Sequence, residues 1–134
     1  PALAGHPEVL AVPHLGASTA EAEENCAVMA ARQLRSYLQE GNIRNSVNFP
    51  QCEMASATNQ RILVANRNIP NMVGQITTIL ARHKINIADL LNRHRGELAY
   101  NIIDVEGSVT EPMIEQLRAI EGVIFVRTIE PVSP

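Results

Sequence analysis

Residues 61–129 read RILVANRNIPNMVGQITTILARHKINIADLLNRHRGELAYNIIDVEGSVTEPMIEQLRAIEGVIFVRTI, and this stretch decides the fold. Runs rich in Val, Ile and Leu alternate in it with segments that repeat apolar residues every three or four positions. The pattern predicts the order strand, helix, strand, strand, helix, strand (βαββαβ). The predicted bounds are Arg61–Asn66, Met72–Lys84, Ile85–Asn92, Glu97–Glu106, a helix that begins at Thr110 or Glu111 and ends at Gly122, and Val123–Ile129.

This order is an approximate duplication of one βαβ unit. Because the crossovers between parallel strands are right-handed, it predicts an α+β, ferredoxin-like fold, in which an antiparallel four-stranded sheet carries both helices on one face. The other face of such a sheet would stay bare. We therefore expect the domain to associate with a second copy of itself.

A different pattern precedes this domain. Val9–Val12 is a short apolar run that predicts a strand, and PHLGAST at residues 13–19 leads from it into a long helix. Ser18 and Glu21 form a capping box at the start of this helix, and Gly41 is its predicted C-cap. The apolar stripe of the helix has few neighbours in its own segment, so we expect it to pack against a second chain or a further domain.

Between the two patterns the periodicity is lost, and we expect a linker there, at residues 51–60. The predicted domains are therefore residues 1–50 and residues 61–134.

The composition limits the function. The net charge of the 134 residues is −3 and only 3% of them are aromatic, so neither a basic surface nor stacking rings support binding to nucleic acid. No apolar run is long enough to span a membrane. Cys26 and Cys52 are far apart, which is typical of reduced thiols in a cytoplasmic protein. The His, Cys and acidic residues show no metal-ligand spacing, so no metal is expected.

Two clusters could carry chemistry. His14 lies on a strand-to-helix turn, where many enzymes aim an imidazole at a bound ligand. The second cluster is the loop Asn66-Arg67-Asn68-Ile69-Pro70-Asn71 before the first helix of the βαββαβ domain, with Asn86 directly after that helix. Amides both donate and accept, and a helix N-terminus offers N–H groups, so this cluster could hold the ammonium and carboxylate of a zwitterion. The same residues could instead only cap the helix and shape the turn.

Three stretches carry a family resemblance. PHLGAST at residues 13–19, AEAEEN at residues 20–25 and VNFP at residues 47–50 resemble the end of the catalytic part of the D-3-phosphoglycerate dehydrogenases. Residues from Arg61 to about Glu130 resemble the ACT domain that follows it in the short, serine-inhibited enzymes. The resemblance implies an NAD-dependent parent enzyme that oxidises 3-phosphoglycerate to 3-phosphohydroxypyruvate, the first step toward L-serine.

The resemblance also implies roles for single residues. His14 would be the general acid/base of the dehydrogenase reaction, and Leu15, Gly16 and Ala17 would lie against the nicotinamide. In the family, a glutamate orients this histidine, an arginine holds the substrate carboxylate, and a glycine-rich fingerprint binds NAD. All of these would lie before Pro1, so the chain alone is expected to be inactive.

In the ACT half, the resemblance implies an effector site at Asn66, Asn68, Pro70, Asn86 and Ile87. L-Serine would bridge two ACT domains, one contributing the loop and the other the start of its second strand, and would shift the enzyme away from its active arrangement. Two positions depart from the family, since Asn66 stands where His is often found and Asn71 replaces the Gly usual after the Pro. Glycine, another amino acid or no ligand stays open, as do an assembly role without a ligand and another 2-hydroxyacid dehydrogenase as the parent.

Overall fold

The computed structural model of the protein describes residues 5–12, 14–55 and 60–130. In chain order its elements are α1 (Ala20–Glu40), β1 (Gln60–Arg67), α2 (Met72–Arg82), β2 (Asn86–Arg95), β3 (Leu98–Glu106), α3 (Glu111–Arg118) and β4 (Val123–Ile129). The strands form one sheet in the order β2-β3-β1-β4, and every neighbouring pair is antiparallel. The predicted α+β fold with its four-stranded antiparallel sheet is therefore confirmed, although β2 continues three residues beyond the predicted Asn92.

Helices α2 and α3 pack on one face of the sheet. Every second residue of a strand points to the same face, so Ile62 and Val64 of β1 face the helices together with Ile103 and Val105 of β3. The helices contribute their own apolar stripes to this helix-side core, namely Met72, Ile76, Leu80, Met113, Ile114 and Leu117. Each fully buried aliphatic side chain of this size stabilises the fold by about 1.5–3 kcal/mol.

The opposite face of the sheet is covered by the chain itself, so the expectation of a bare face is wrong. Residues 37–55, which we call the covering segment, fold back over it. Ile43 and Cys52 pair as an isolated antiparallel bridge and are buried in a second core with Leu63, Ala65, Tyr100 and Ile102. Cys52, at 1% exposure, is a core residue.

The described residues divide into two compact units, and the division falls within α1 after Arg32. In the first unit, the strand expected at Val9–Val12 is absent: these residues have no regular secondary structure and are exposed. A strand needs a partner for its backbone groups, and the described part of this unit offers none. The helix cap also differs from the prediction, because Thr19 rather than Ser18 accepts the hydrogen bond, from the N–H of Ala22 at 3.2 Å.

The second unit runs from Gln33 and contains the end of α1, the covering segment and the sheet. The fully buried Arg61 side chain joins all three. It donates to both carboxylate oxygens of Asp104 (2.6 and 2.8 Å) and to the carbonyl of Glu40, the last residue of α1 (2.7 Å). Gly41 follows with φ +76° and packs directly on Leu63, a close approach in a backbone conformation that favours glycine.

Candidate functional site

The loop between β1 and α2, residues 67–71, is fixed from both sides by main-chain hydrogen bonds. The N–H of Arg67 donates to the carbonyl of Gly122 (2.7 Å), in the turn between α3 and β4. The N–H of Asn68 donates to the carbonyl of Glu97 (2.8 Å), and its side-chain Nδ2 donates to the carbonyl of Gly96 (3.2 Å), both in the turn between β2 and β3. The Oδ1 atom of Asn68 has no donor among the described residues, so it can accept a hydrogen bond from a ligand.

Asn71, directly before α2, explains one departure from the family pattern. Its φ of 67° lies in the left-handed region, which Gly adopts freely and Asn tolerates better than most residues. Its side chain makes no capping bond and lies instead where a side chain on Gly74 would be. The N–H groups in the first turn of α2 have no partners within the helix, which makes this end suitable for a carboxylate.

Asn66 belongs to a row of amides that crosses three strands. Its Nδ2 donates to the carbonyl of Arg67 (2.6 Å), and its Oδ1 accepts from Nδ2 of Asn101 (2.7 Å). The Oδ1 of Asn101 in turn accepts from Nδ2 of Asn92 (2.6 Å). Asn66 is 1% exposed, and both the oxygen and the nitrogen of its amide already form hydrogen bonds. It can therefore bind a ligand only if one of these hydrogen bonds is broken.

Sequence reasoning missed Asn92 and Asn101. A signal for Asn101 exists, since it stands alone as a polar residue in the apolar run from Leu98 to Ile103. Buried amides are expected to have partners, and Asn92 lies directly opposite Asn101 in the β2–β3 register. That register was not available from a single sequence.

Asn86 and Ile87 lie at the other end of the sheet. Asn86 opposes Glu106 and donates from Nδ2 to its carboxylate (2.7 Å), and Ile87 packs against the helix-side core. The loop of Asn68 lies beside Arg95, at the far end of β2. A strand of this length spans about 30 Å, so one small ligand cannot touch Asn68 and Asn86 of the same chain.

The remaining predicted site residues, His14, Leu15, Gly16 and Ala17, are all exposed. The turn that holds them is closed by a bond from the N–H of Ser18 to the carbonyl of Leu15 (3.2 Å), and His14 has no hydrogen-bond partner among the described residues.

Residues 62–125 match the family described as "AHAS small subunit-like ACT domain". This region has the α+β ACT-like fold. The match includes α2, β2, β3 and α3, together with β1 from Ile62 onward and the first three residues of β4. A solved structure, the ACT domain of GTP pyrophosphokinase from Chlorobium tepidum, superposes with a TM-score of 0.47 at 18% identity and covers 52% of this chain and 95% of that chain.

Longer matches extend through α1. The chain is 31% identical over 121 residues to D-3-phosphoglycerate dehydrogenase of Escherichia coli (strain K12), which covers 89% of this chain and 30% of that protein. It is 32% identical over 129 residues to D-3-phosphoglycerate dehydrogenase 1 of Saccharomyces cerevisiae, covering 90% and 27%. The chain thus spans about three-tenths of the length of these relatives, and its ACT domain is homologous to their C-terminal region.

No group of three or more His, Cys, Asp or Glu side chains could hold a metal ion in the part of the chain that the structure describes. Of the helices whose residues are described, none is both long enough and apolar enough to cross a membrane.

Proposed function

We propose that this chain is the regulatory end of an NAD-dependent D-3-phosphoglycerate dehydrogenase and that its ACT domain binds L-serine between two chains. The observation that carries the proposal is the similarity to these enzymes over about nine-tenths of the chain. His14 would then be the general acid/base of the parent enzyme. NAD and 3-phosphoglycerate would be held mainly by the rest of the parent.

The position of β2 supports a site shared by two chains. β2 is an edge strand, so a second copy can pair with it. Antiparallel pairing of two β2 strands would bring the Asn86 end of each toward the Arg95 end of the other, which is the end that carries the loop of Asn68. The α2 N-terminus and the free Oδ1 of Asn68 would then receive the carboxylate and the ammonium of serine, and Asn86 of the second chain its hydroxyl.

Serine in such a site would act on the enzyme through the interface. A ligand that binds only when two chains are joined in one geometry stabilises that geometry, and the other arrangements lose population. α1 would add to self-association, because it exposes apolar side chains, including Met29, Leu34 and Leu38 at 51–58% exposure.

The second candidate is an assembly module that binds no small molecule. The hydrogen bonds of Asn66 and Asn86 favour it, since both side chains already have partners within their own chain. A serine at the interface would have to replace the bond between Asn86 and Glu106.

Calorimetric titration with L-serine separates the two candidates. If the ACT domain is regulatory, we expect saturable binding, and Asn68→Ala and Asn86→Ala should each weaken it by about tenfold or more, since each removes a hydrogen bond to a charged or buried group. Asn25→Ala on the exposed side of α1 is the matched control and should bind serine like the original chain. A dimer that gives no heat with any amino acid would support the assembly role.

The identity of the parent needs a separate measurement. Steady-state kinetics of the full-length enzyme should show a higher kcat/KM for 3-phosphoglycerate than for other 2-hydroxyacids. His14→Gln in that enzyme should lower kcat by about a hundredfold or more, as expected on loss of a general acid/base.

A further inference from the structure

The outer edge of β2 carries charges of opposite sign at equal distances from one leucine. Leu91 is half-buried and packs against the second core, on the face of the sheet that the covering segment occupies. Asp89 stands two residues before Leu91 and Arg93 two residues after it, so both charged side chains point to the same face as Leu91. Along this edge the strand therefore presents an acid, an apolar residue and a base in regular spacing.

Neither charge forms an ion pair among the described residues. Asp89 and Arg93 are both exposed. The carboxylate of Asp89 accepts a hydrogen bond from the N–H of Leu90 (2.8 Å), and within residues 5–12, 14–55 and 60–130 the guanidinium of Arg93 has no hydrogen-bond acceptor. Arg95, the next base on this face, differs because it donates to the carbonyl of Ser46 in the covering segment (2.8 Å). Asp89 and Arg93 are thus available to a second molecule.

A second copy of the chain offers the matching charges. When two identical edge strands pair antiparallel about a two-fold axis, residues that oppose each other point to the same face of the joined sheet. If Leu91 lies on this axis, it opposes Leu91 of the second chain, and Asp89 of each chain opposes Arg93 of the other. The joined edges then contain the same ion pair twice, with a leucine pair between.

The neighbouring registers lose this match. Because opposed residues must share a face, the register can change only by steps of two positions along the second strand. With Leu90 on the axis, Asp89 would oppose Leu91 of the second chain. With Asn92 on the axis, Arg93 would oppose Leu91. Both arrangements set a charge against an apolar side chain, so the register centred on Leu91 is the one that the charges favour.

We propose that two copies of the chain join through β2 in this one register, held by reciprocal ion pairs between Asp89 and Arg93 with Leu91 at the two-fold axis. The inference rests on the pairing of β2 strands in the proposed function and adds the register and the residues that select it. In this register Asn86 of each chain lies beside the Arg95 end of β2 in the other, next to the turn whose carbonyls hold Asn68.

Charge reversal, measured by sedimentation equilibrium at low ionic strength, tests the ion pairs. Asp89→Arg or Arg93→Asp alone places like charges opposite each other twice in each dimer, so each should raise the dissociation constant by about tenfold or more. The two changes together restore the pairs with reversed signs, and the dissociation constant should return to within about threefold of the original value. Glu115→Arg, a reversal at an exposed position of α3, is the matched control and should have no effect.

Disulfide cross-linking gives a second readout of the register. In a Cys26→Ala background, which leaves Cys52 as a buried thiol, Leu91→Cys places two thiols directly opposite each other across the axis, within reach of a disulfide bond. We expect a covalent dimer on mild oxidation. Leu90→Cys and Asn92→Cys are the matched controls, because each sets its two thiols apart by two positions along the strands, and neither should cross-link.

The proposal is overturned if the chain is monomeric, if the double reversal does not recover the dimer, or if cross-links form at position 90 or 92 instead of 91. Recovery by Asp89→Arg combined with Arg95→Asp would assign the register centred on Asn92 instead. Thermal unfolding verifies that each variant is folded. The serine proposal can fail separately: a dimer in the expected register that gives no heat with L-serine leaves this inference intact, and serine binding to a dimer of another register overturns this inference alone.

Discussion

At the scale of single residues, Arg61 shows how a polar group can be essential inside an apolar sheet. Its guanidinium is 0% exposed, and four hydrogen bonds reach Asp104, Glu40 and Ala55. A buried charge is tolerated only when its partners are in place, because its desolvation is costly. Periodicity could not predict this ion pair, because Arg61 and Asp104 are brought together only by the register between β1 and β3.

Arg61→Met should therefore destabilise the protein strongly. It leaves the Asp104 carboxylate and two main-chain carbonyls without their donors, and we expect a loss of about 3 kcal/mol in the free energy of unfolding, measured by urea denaturation. Arg118→Met is the matched control: its ion pair with Glu111 is exposed, so the loss should stay below about 1 kcal/mol. Equal losses for the two variants would contradict this account of Arg61.

The thiol of Cys52 makes the stability depend on alkaline pH. Burial raises its pKa from 9.0 to about 11, outweighing the opposing effect of Arg93 and Arg61. The unfolded chain releases this proton above pH 9, while the folded chain keeps it until about pH 11. Stability from this group is thus complete below pH 9 and is lost as the pH rises from 9 to 11, by an amount on the order of 2 kcal/mol.

Urea denaturation at several pH values checks this prediction. Cys52→Ala should lower stability at pH 8 by removing core contacts, but it should flatten the decline between pH 9 and 11. Cys26→Ala, at an exposed position in α1, should keep the full decline. Burial also raises the pKa of Tyr100 above its ordinary value of 10.0. Its loss of stability therefore begins at higher pH than that of Cys52, and it is the same in the original chain and in both variants. If the free energy of unfolding of Cys52→Ala fell as steeply between pH 9 and 11 as that of the original chain, groups other than Cys52 would cause the decline.

At the scale of elements, the helices and strands that could be predicted are those with a hydrophobic pattern within their own residues. The strands and helices of the ACT domain have continuous apolar runs or three-to-four-residue repeats, and each was found. The covering segment has neither, because Ile43, Phe49, Cys52 and Met54 reach the sheet from irregular backbone. This segment is buried by its contacts with the sheet, and the hydrophobic periodicity of a sequence carries no information about such contacts. The strand expected at Val9–Val12 shows the converse, since an apolar run without a partner strand stays irregular.

The covering segment is attached by donors from several strands, which gives a test at this scale. The hydroxyl of Tyr100 donates to the buried carbonyl of Gly41 (2.9 Å), and a guanidinium nitrogen of Arg127 donates to the carbonyl of Tyr37. Tyr100→Phe keeps the ring but leaves the Gly41 carbonyl without a donor. We expect a loss of about 1–2 kcal/mol in the free energy of unfolding.

Tyr37→Phe is the control for the same chemical change. The ring of Tyr37 lies 4.6 Å from the Arg127 guanidinium, and its hydroxyl has no hydrogen bond among the described residues. This variant should change the free energy of unfolding by less than about 0.5 kcal/mol. If Tyr100→Phe were equally mild, the covering segment would not depend on the bond to Gly41.

At the scale of the molecule, the candidate site was only half predictable. The loop of Asn68 could be found because polar residues before a helix stand out in an apolar sequence. That Asn86 lies about a strand length away follows only from the strand order and register. A site that joins the two residues therefore needs two chains, and the manner of pairing becomes the decisive question.

Both edges of the sheet could accept a second chain, and both carry a bulge. In β2 the register shifts at Ala88, between Ile87 and Asp89, and in β4 it shifts at Ile124, between Val123 and Phe125. A residue in a bulge opposes no single partner on the neighbouring strand, so proline is tolerated there better than elsewhere in a sheet. The two positions thus form a matched pair for testing which edge is used.

If two chains join through β2, Ala88→Pro should weaken self-association by about tenfold or more, because it removes a donor and bends the pairing edge. Ile124→Pro on the other edge should leave self-association unchanged. Sedimentation of both variants over a concentration series measures the dissociation constant, and thermal unfolding verifies that each chain is folded. Dissociation by Ile124→Pro, with Ala88→Pro still dimeric, would place the interface at β4. Asn86 would then lie on the unpaired edge, and a serine site built from Asn68 and Asn86 of two chains would be excluded.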